Sequence, residues 1–340
     1  MTAAAEDVAT IDRAEATRTR PVLAVDRLSV SLRLDGRVVP VVTDLSFDVR
    51  PGEAVALVGE SGCGKSMTAR AIAGLPPAGA IVSGSISLEG AEISTLPPRE
   101  RRKLGGSRIG FVFQEPMSSL HPTLSLGAQM TDTIRTHLGL SRAAAQQRAA
   151  ELLDRVGIPR RRNALDAYVH ELSGGMRQRV MIAMAISCNP ALLIADEPTT
   201  ALDVTIQAQV LDLLADMRRE LGVAMLYITH DLDVVAEFCQ RAIILYAGDM
   251  VEAGRAADCL EAPRHPYTRG LVDAIPSLDL RKKRLTAIPG TVPPLGAWPE
   301  GCRFAPRCGS AEAICSQRPS FVTERDSAYR CWRPLAEATR

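Results

Sequence analysis

The sequence has no long hydrophobic run. Residues 180–186 come nearest to one, whereas a helix needs roughly 18 uninterrupted apolar residues to span a membrane. The first 21 residues also lack a basic segment followed by an apolar one. We therefore expect a disordered N-terminal tail over residues 1–21 and not a secretory signal peptide. The chain is predicted to be soluble or peripheral, on the cytosolic side of a membrane.

An excess of charge of either sign is also missing. Forty lysine and arginine residues are balanced by 39 aspartate and glutamate residues, which gives a formal net charge of +1. This balance provides no general attraction to nucleic acid, and no fixed-period internal repeat is present. The chain has 340 residues, of which 46% are hydrophobic, so it can bury a sizeable core and form about two domains.

One glycine-rich segment, residues 59–66, matches a phosphate-binding pattern; we call it the phosphate-binding loop. It reads Gly-Glu-Ser-Gly-Cys-Gly-Lys-Ser. In this pattern backbone N–H groups face the phosphates, the lysine reaches the β- and γ-phosphates, and the last hydroxyl ligates Mg²⁺. The apolar run Ala54–Val58 predicts a buried strand before the loop, and Ser66–Ala73 predicts a helix after it. We interpret Cys63 as a small filler residue without a redox role.

The flanking patterns predict an α/β arrangement around this loop. Alternating apolar and polar residues over 23–50, with Asp35-Gly36 as a turn signal, predict an antiparallel hairpin. Three apolar runs, at residues 191–195, 223–228 and 242–246, predict buried parallel strands.

Helical patterns occupy two further regions. Residues 126–156 predict a small helical insertion that contains a helix over Arg142–Val156. Between the first two predicted parallel strands lies an amphipathic helix. Its apolar face, predicted to pack on the sheet, is formed by Ile206, Val210, Leu213, Met217 and Leu221.

Two adjacent carboxylates close one of the predicted parallel strands. Asp196 and Glu197 come directly after the apolar residues 192–195, at the strand end where ligands bind in open α/β sheets. The pair suits Mg²⁺ ligation by one carboxylate and activation of an attacking water by the other. Gln114 and His230 also follow apolar runs. Each of these two, taken alone, could be a hydrogen-bonded structural residue.

These features occur in the order found in one protein family. Residues 23–260 resemble the ATP-binding cassette of ABC transporters. Six motifs carry the resemblance: Walker A at Gly59–Ser66, the Q-loop at Gln114, the signature at Leu172–Met176, Walker B at Leu192–Glu197, the D-loop at Ala201–Asp203 and the switch histidine at His230. The resemblance implies an α/β fold of the P-loop NTPase type, with a RecA-like core and an antiparallel β-subdomain. It also implies an α-helical subdomain at about residues 115–178. The nucleotide-binding domain would cover residues 22–260, followed by a small C-terminal extension over 261–340.

The same resemblance implies a composite site that hydrolyses ATP. Two cassettes would close head to tail, so that the signature of one faces the nucleotide on the phosphate-binding loop of the other. Glu197 is implied as the catalytic base, with His230 and Gln114 as further catalytic residues, and Mg²⁺ would be held by Ser66, Gln114 and Asp196. The implied nucleotide-binding residues are Gly59, Glu60, Ser61, Gly62, Cys63, Gly64, Lys65, Ser66, Met67, Gln114, Asp196, Ser173, Gly174, Gly175 and Asp203.

The residues after 260 resemble one branch of this family. The runs Arg264–Leu271, Ala274–Pro276 and Ile288–Pro294 are similar to the C-terminal region of oligopeptide/dipeptide importer ATPases, and Met176 in place of the usual signature glutamine fits that branch. The branch implies uptake of short peptides, with nickel or another small solute as the alternative. The implied partners are a second ABC ATPase, favoured as a different chain, two transmembrane permease subunits and an external substrate-binding protein. This chain would be peripheral, at the cytoplasmic face of the cell membrane.

A soluble DNA-maintenance ATPase is the alternative from another functional class. Such proteins form the same signature-mediated dimer but carry a long coiled coil between the Walker A and signature motifs. Here only 108 positions separate Lys65 from Ser173, and no sustained heptad pattern is present. We therefore expect no nucleic-acid partner.

Four of the eight cysteines lie in the last 39 residues, at Cys302, Cys308, Cys315 and Cys331. Lasting disulfides are disfavoured in the cytosol, so clustered thiolates indicate metal ligands or reduced surface cysteines. No C-x2-C pair is present, which weakens a zinc-ribbon interpretation. Four thiolates can hold either tetrahedral Zn²⁺ or a [4Fe-4S] cluster. The peptide-importer resemblance extends over Gly301–Cys308 and favours the cluster, because members with an iron–sulfur cluster are known.

A third function stays open for this tail, which could be a regulatory element or an iron–sulfur scaffold with transport incidental. The remaining cysteines Cys188, Cys239 and Cys259 are predicted to pack in the core of the cassette.

Overall fold

The computed structural model describes residues 20–158, 164–200, 202–275, 287–324 and 327–336. Nearly all of the predicted disordered tail lies outside the described residues, as does Ala201 of the D-loop motif. The described strands are β1 Leu23–Leu34, β2 Arg37–Val49, β3 Ala54–Val58, β4 Ile81–Leu88, β5 Ala91–Glu92, β6 Ile109–Val112, β7 Leu192–Asp196, β8 Ala224–Thr229, β9 Arg241–Tyr246, β10 Asp249–Arg255, β11 Val322–Glu324 and β12 Ser327–Tyr329. The described helices are α1 Lys65–Ala73, α2 Pro98–Leu104, α3 Pro116–Ser119, α4 Leu126–Leu138, α5 Arg142–Arg155, α6 Gly174–Ile186, α7 Val204–Leu221, α8 Leu232–Phe238, α9 Ala256–Glu261 and α10 Pro266–Asp273.

The smaller sheet is antiparallel, with the strand order β2-β1-β4-β5. The turn between β1 and β2 is formed by Asp35 and Gly36, whose φ angles are +49° and +75°. Positive φ at both central residues is the requirement of the I′ turn, whose twist matches that of the flanking strands. The predicted hairpin is therefore confirmed, and it belongs to the antiparallel subdomain that the resemblance implies.

The larger sheet has the order β11-β12-β10-β9-β3-β8-β7-β6. Its strands β9, β3, β8, β7 and β6 are parallel and are buried on both faces, as is usual for parallel strands. In β3, Ala54, Ala56 and Val58 enter the core on one face, and Val55 and Leu57 enter the core on the other. The three apolar runs are thus confirmed as parallel strands. Their carboxyl ends lie along one edge of the sheet.

The predicted helical insertion is confirmed as α4 and α5. Both helices begin after a serine, because the hydroxyls of Ser125 and Ser141 accept hydrogen bonds from N–H groups of the first turn. Apolar residues of both helices, such as Met130 and Leu153, are fully buried. The amphipathic helix is confirmed as α7, where Val210 is fully buried. Among the described helices, none is both long and apolar enough to cross a bilayer.

The C-terminal extension is joined to the larger sheet. Strand β12 pairs antiparallel with β10, with Tyr329 opposite Glu252. The buried carboxylate of Glu252 accepts hydrogen bonds from the backbone N–H groups of Arg264, at 2.7 Å, and His265, at 2.8 Å. The extension is therefore hydrogen-bonded to the same sheet that carries the phosphate-binding loop.

Candidate functional site

The phosphate-binding loop connects β3 to α1 and needs glycine for steric reasons. Gly64 has a φ of +104°, and a Cβ atom added to it would lie 2.9 Å from the Val41 carbonyl oxygen and 2.9 Å from Val42 Cγ2. Only glycine adopts this backbone conformation without strain. The next residue, Lys65, is 5% exposed, and its Nζ donates to the carbonyls of Gly59, at 2.7 Å, and Glu60, at 3.2 Å. The positive charge of Lys65 and the N-terminus of α1 therefore lie together at the loop, where both favour binding of an anion.

A cavity of about 740 Å³ opens above this loop, within the usual size range of small-molecule sites. It brings together most of the predicted site residues with several apolar side chains. The lining residues are Leu32, Val41, Val58, Gly59, Glu60, Ser61, Gly62, Gly64, Lys65, Ser66, Met67, Gln114, Glu197, His230, Leu271 and Leu295. Leu271 and Leu295 follow residue 260, so the C-terminal extension contributes to this cavity as well.

Cys63 does not line the cavity, although it lies within the loop. Its side chain is 1% exposed, and burial raises the pKa of its thiol. Cys188, Cys239 and Cys259 are also buried and free. The burial of Cys188, Cys239 and Cys259 confirms that they pack in the core. The burial of Cys63 agrees with its interpretation as a filler residue, and its nucleotide-binding role stays a prediction.

Asp196 ends strand β7 directly behind the loop. Its side chain is 3% exposed, and its Oδ1 accepts a hydrogen bond from Ser66 Oγ at 2.9 Å. Burial raises the pKa of Asp196, because the carboxylate charge is poorly solvated there. A bound divalent cation would favour the ionised form. A hydroxyl and a carboxylate in contact are the oxygen ligands that suit Mg²⁺.

The carboxylate of Glu197 contacts three polar side chains, two of which, Gln114 and His230, line the cavity. Its Oε2 accepts hydrogen bonds from Gln114 Nε2, at 2.9 Å, and from Thr200 Oγ1, at 3.0 Å, and its Oε1 lies 3.5 Å from His230 Nδ1. The backbone of Glu197 has a φ of +47°, a left-handed conformation that is uncommon outside glycine and recurs at functional sites. The prediction from sequence missed Thr200, whose only signal was its place three residues after Glu197.

The signature residues lie elsewhere on the chain. Ser173 is exposed and precedes α6, where its hydroxyl accepts a hydrogen bond from the Met176 N–H at 3.4 Å. Asp203 is also exposed and caps α7 through the Ile206 N–H at 3.0 Å. Of these described residues, neither Ser173, Asp203 nor the signature glycines Gly174 and Gly175 lines the 740 Å³ cavity. The chain therefore carries two separate groups of predicted ATP-site residues.

The four C-terminal cysteines come together in space. Cys302, Cys308, Cys315 and Cys331 line one small pocket, whose volume is about 10 Å³, and the backbone N–H of Cys302 donates to the Cys315 carbonyl at 2.9 Å. Burial raises the pKa of Cys302 and Cys308, and it raises the pKa of Cys331 to about 11. Without a bound cation these thiols are therefore protonated at neutral pH.

His265 lines the same pocket. Its Nδ1 accepts a hydrogen bond from the Tyr267 N–H at 3.0 Å, and burial lowers the pKa of His265 to about 3. The ring is therefore neutral, with its proton on Nε2. Within the described residues this buried Nε2 has no hydrogen-bond partner.

A preformed metal site is not found at these cysteines. In the part of the chain that the structure describes, no group of three or more His, Cys, Asp or Glu side chains is arranged to hold a metal ion. A zinc ion requires sulfur ligands at about 2.3 Å, so its ligands must approach one another closely. The prediction of zinc or of a [4Fe-4S] cluster thus gains no support from a ready ligand set.

Comparisons with known proteins match nearly the whole chain. A family model for the ABC transporter matches residues 42–200, and a model for the oligopeptide/dipeptide transporter C-terminal region matches residues 251–315. The chain is 46% identical over 334 residues to a peptide import ATP-binding protein of Brucella melitensis biotype 1, an alignment that covers 93% of this chain and 99% of the relative. It is 45% identical over 316 residues to the oligopeptide transport ATP-binding protein OppD of Salmonella typhimurium, covering 93% of this chain and 94% of the relative.

Solved structures show the same fold. The dimeric structure of MJ0796, a bacterial ABC transporter cassette, has a TM-score of 0.62 at 27% identity and covers 69% of this chain and 98% of its own. The structure of cbiO1 from Clostridium perfringens, part of the ABC transporter complex cbiONQ, has a TM-score of 0.59 at 26% identity. It covers 70% of this chain and 90% of its own. The predicted α/β cassette fold is confirmed by both.

Proposed function

Because this chain belongs to the ABC transporter family, in the branch of peptide import ATP-binding proteins, we propose that it is the ATP-hydrolysing subunit of an importer for di- and oligopeptides. The observation that carries the proposal is the convergence of Gln114, Glu197 and His230 on the cavity above the phosphate-binding loop. Within that frame we assign residues 22–260 to the cassette and residues 261–340 to the peptide-importer extension.

The phosphate-binding loop holds the triphosphate in this proposal. Its backbone N–H groups and Lys65 bind the phosphate oxygens, and the N-terminus of α1 favours their negative charge. Ser66, Asp196 and the amide oxygen of Gln114 would hold Mg²⁺, which neutralises charge on the β- and γ-phosphates when it is bound. The contact between Ser66 and Asp196 at 2.9 Å supports this assignment.

Glu197 is proposed as the base that orients and polarises the attacking water. Its carboxylate is held by Gln114 and Thr200, so it needs little reorganisation during the reaction. His230, 3.5 Å from the same carboxylate, is proposed to contact the γ-phosphate. Catalysis in phosphoryl transfer is mainly positioning and charge stabilisation, and Gln114, Glu197 and His230 already line one cavity.

The exposed signature supports assembly with a second cassette. Ser173, Gly174, Gly175 and Asp203 would act on the nucleotide of a partner ATPase, favoured as a different chain. Two membrane permease subunits would contact the helical subdomain near residues 115–156, and an external binding protein would deliver the solute. The chain would then lie at the cytoplasmic face of the membrane. ATP-driven closing and opening of the cassette pair would switch the permease between its two access states.

Replacing the proposed base tests the catalytic assignment. Glu197→Gln should leave MgATP binding intact and lower turnover by about 10²- to 10⁴-fold, the usual contribution of a general base. The matched control is Glu220→Gln, the same chemical change at an exposed carboxylate paired with Arg155, which should leave turnover unchanged. Turnover of Glu197→Gln equal to that of the control would remove Glu197 from this role.

Reconstitution tests the transport assignment. The chain, purified from membranes with its partners and placed in vesicles, should drive ATP-dependent uptake of short peptides, and the Glu197→Gln complex should not. Uptake of nickel but not peptides would move the substrate to the alternative solute class. Recovery of DNA in place of permeases would overturn the transport proposal.

For the four-cysteine pocket we propose a [4Fe-4S] cluster. Four soft sulfur ligands around one pocket suit iron–sulfur chemistry. Among the described residues the Nε2–H of His265 in the same pocket has no acceptor, and cluster sulfur could supply one. When bound, the group would supply a redox-active centre and tie the extension together.

Metal analysis of anaerobically purified protein tests this second proposal. Equal amounts of iron and acid-labile sulfide, with broad visible absorption, are expected for the intact chain and should be lost in Cys308→Ser. The matched control, Cys188→Ser, changes a buried cysteine outside the pocket and should retain both. A colourless protein with one zinc ion would overturn the cluster in favour of zinc, and four titratable thiols without metal would overturn both. Full transport and assembly after truncation before Cys302 would make the tail dispensable for import.

A further inference from the structure

One arginine of the C-terminal extension contacts the phosphate-binding loop. Arg307 lies between Cys302 and Cys308, in the short 3₁₀ turn Ala305–Arg307. Its guanidinium donates two hydrogen bonds to the carboxylate of Glu60, from Nη1 to Oε2 at 2.7 Å and from Nη2 to Oε1 at 3.1 Å. Glu60 is the second residue of the phosphate-binding loop. The paired geometry is the strongest that an arginine and a carboxylate can form.

Arg307 is itself held in place on several sides. Its Nε donates to the Pro289 carbonyl at 2.8 Å. Its guanidinium also reaches the Tyr246 hydroxyl, at 3.4 Å, and lies 5.7 Å from the centre of the Tyr246 ring. The side chain is 5% exposed. Because the guanidinium cannot readily move, it fixes the position of the carboxylate that it binds.

The extension also holds the backbone of the same loop residue. The N–H of Glu60 donates to the hydroxyl of Tyr267, in α10, at 2.9 Å. The backbone and the side chain of Glu60 are therefore each bound by a residue that follows position 260. This arrangement restrains the loop conformation on which phosphate binding depends.

The position of the Glu60 carboxylate affects nucleotide binding because this side chain is negatively charged. Glu60 lines the 740 Å³ cavity, and its side chain is 29% exposed. A free carboxylate there would repel the phosphates, since like charges at short range disfavour each other. Arg307 neutralises that carboxylate and holds it against the extension.

We propose that Arg307 is a positioning residue of the ATP site, which acts through Glu60 to keep the phosphate-binding loop in its binding conformation and its carboxylate away from the phosphates. Arg307 does not touch the reacting atoms. The inference rests on the proposed ATP site but not on transport. The C-terminal extension is, on this view, part of the nucleotide site of its own chain.

Nucleotide affinity of the purified chain tests the inference. Arg307→Ala should weaken MgATP binding roughly tenfold, the effect of losing a charged hydrogen-bonded pair, and should raise KM while kcat at saturation changes little. The MgATP affinity of Arg307→Lys should lie between those of the wild type and Arg307→Ala, because lysine keeps the charge but not the paired geometry. The matched control is Arg303→Ala. Arg303 holds the same segment through contacts with Asp249, at 3.2 Å, and Thr43, at 3.0 Å. Arg303→Ala should therefore lower MgATP affinity less than Arg307→Ala does.

A double variant separates positioning from general damage. Glu60→Gln added to Arg307→Ala removes the unpaired charge and should restore most of the lost affinity. Wild-type affinity in folded Arg307→Ala, or no recovery in the double variant, would overturn the inference. If Arg307→Ala does not fold, Arg307→Gln with and without Glu60→Gln provides the same comparison. A wild-type chain that binds no ATP would contradict the proposed function itself, which is a distinguishable result.

Discussion

The two groups of predicted ATP-site residues differ in how far a single chain organises them. Most of the group around the phosphate-binding loop lines one cavity, and its members are hydrogen-bonded to one another. Ser66 donates to Asp196, and Glu197 accepts from Gln114 and Thr200. In the signature group Ser173, Gly174 and Asp203 are exposed and Gly175 is half-buried. The side chains of Ser173 and Asp203 cap their own helices. In the proposed function the first group binds a ligand within its own chain, and the second group acts on a partner chain.

The largest expected difference between the two groups concerns binding by the isolated chain. Lys65→Ala should weaken MgATP binding about 10- to 100-fold, because it removes charged hydrogen bonds to phosphate. Ser173→Arg should leave binding by the isolated chain unchanged but abolish ATP-dependent association with the partner cassette, measured by size-exclusion chromatography in the Glu197→Gln background. Equal loss of binding in both variants would mean that the two groups form one site within a chain.

The control for Ser173→Arg is Ser141→Arg. Ser141 is another exposed serine that caps a helix, α5, through the Ala144 N–H at 3.3 Å. Both changes remove a cap and add the same bulky cation, so any difference in association is due to position. Association lost equally in the control would point to destabilisation and not to the signature.

Sequence reasoning captured what local patterns determine. The strand, glycine loop and helix around Lys65 follow from a few adjacent residues, and so does the hairpin turn at Asp35. It missed contacts that depend on tertiary structure, such as the pair formed by Arg307 and Glu60, 247 positions apart. It also missed the pairing of β12 with β10, because three residues are too few to show a strand period.

For the candidate site, the sequence predicts residues but not their physical states. Asp196 and Glu197 are neighbours in sequence, yet the structure buries the first and places the second in a left-handed conformation facing the cavity. The four cysteines were recognised as a cluster, but their spacing could not show that His265 shares their pocket. These properties arise from packing between distant segments, which a single sequence does not encode in any local pattern.

A smaller effect is expected from the signature glycines Gly174 and Gly175, which are the first two residues of α6. A Cβ added to Gly175 would lie 2.6 Å from Ile206 Cγ2 of α7, whereas one added to Gly174 would meet nothing within 4 Å. Gly175→Ala should therefore lower the free energy of unfolding by about 1–3 kcal/mol, the usual cost of overpacking. The matched control, Gly174→Ala, should cause no loss in urea denaturation. Equal stability of the two variants would contradict the close packing of α6 against α7.

The smallest expected effect is at Asp203, where the role within the chain and the role between chains can be separated. Asp203→Ala removes the cap of α7 and should lower the free energy of unfolding by about 1 kcal/mol, measured by urea denaturation of the isolated chain. Asp203→Asn keeps a capping oxygen and should lose only a few tenths of a kcal/mol from the lost charge at the helix N-terminus. The free energy of unfolding therefore reports on the helix cap, which Asp203→Ala loses and Asp203→Asn keeps. If Asp203 also acts on the partner cassette through its charge, Asp203→Asn should lower turnover of the assembled pair despite its near-normal stability. Wild-type turnover in that variant would confine Asp203 to capping, and the signature group would then act across the interface without it.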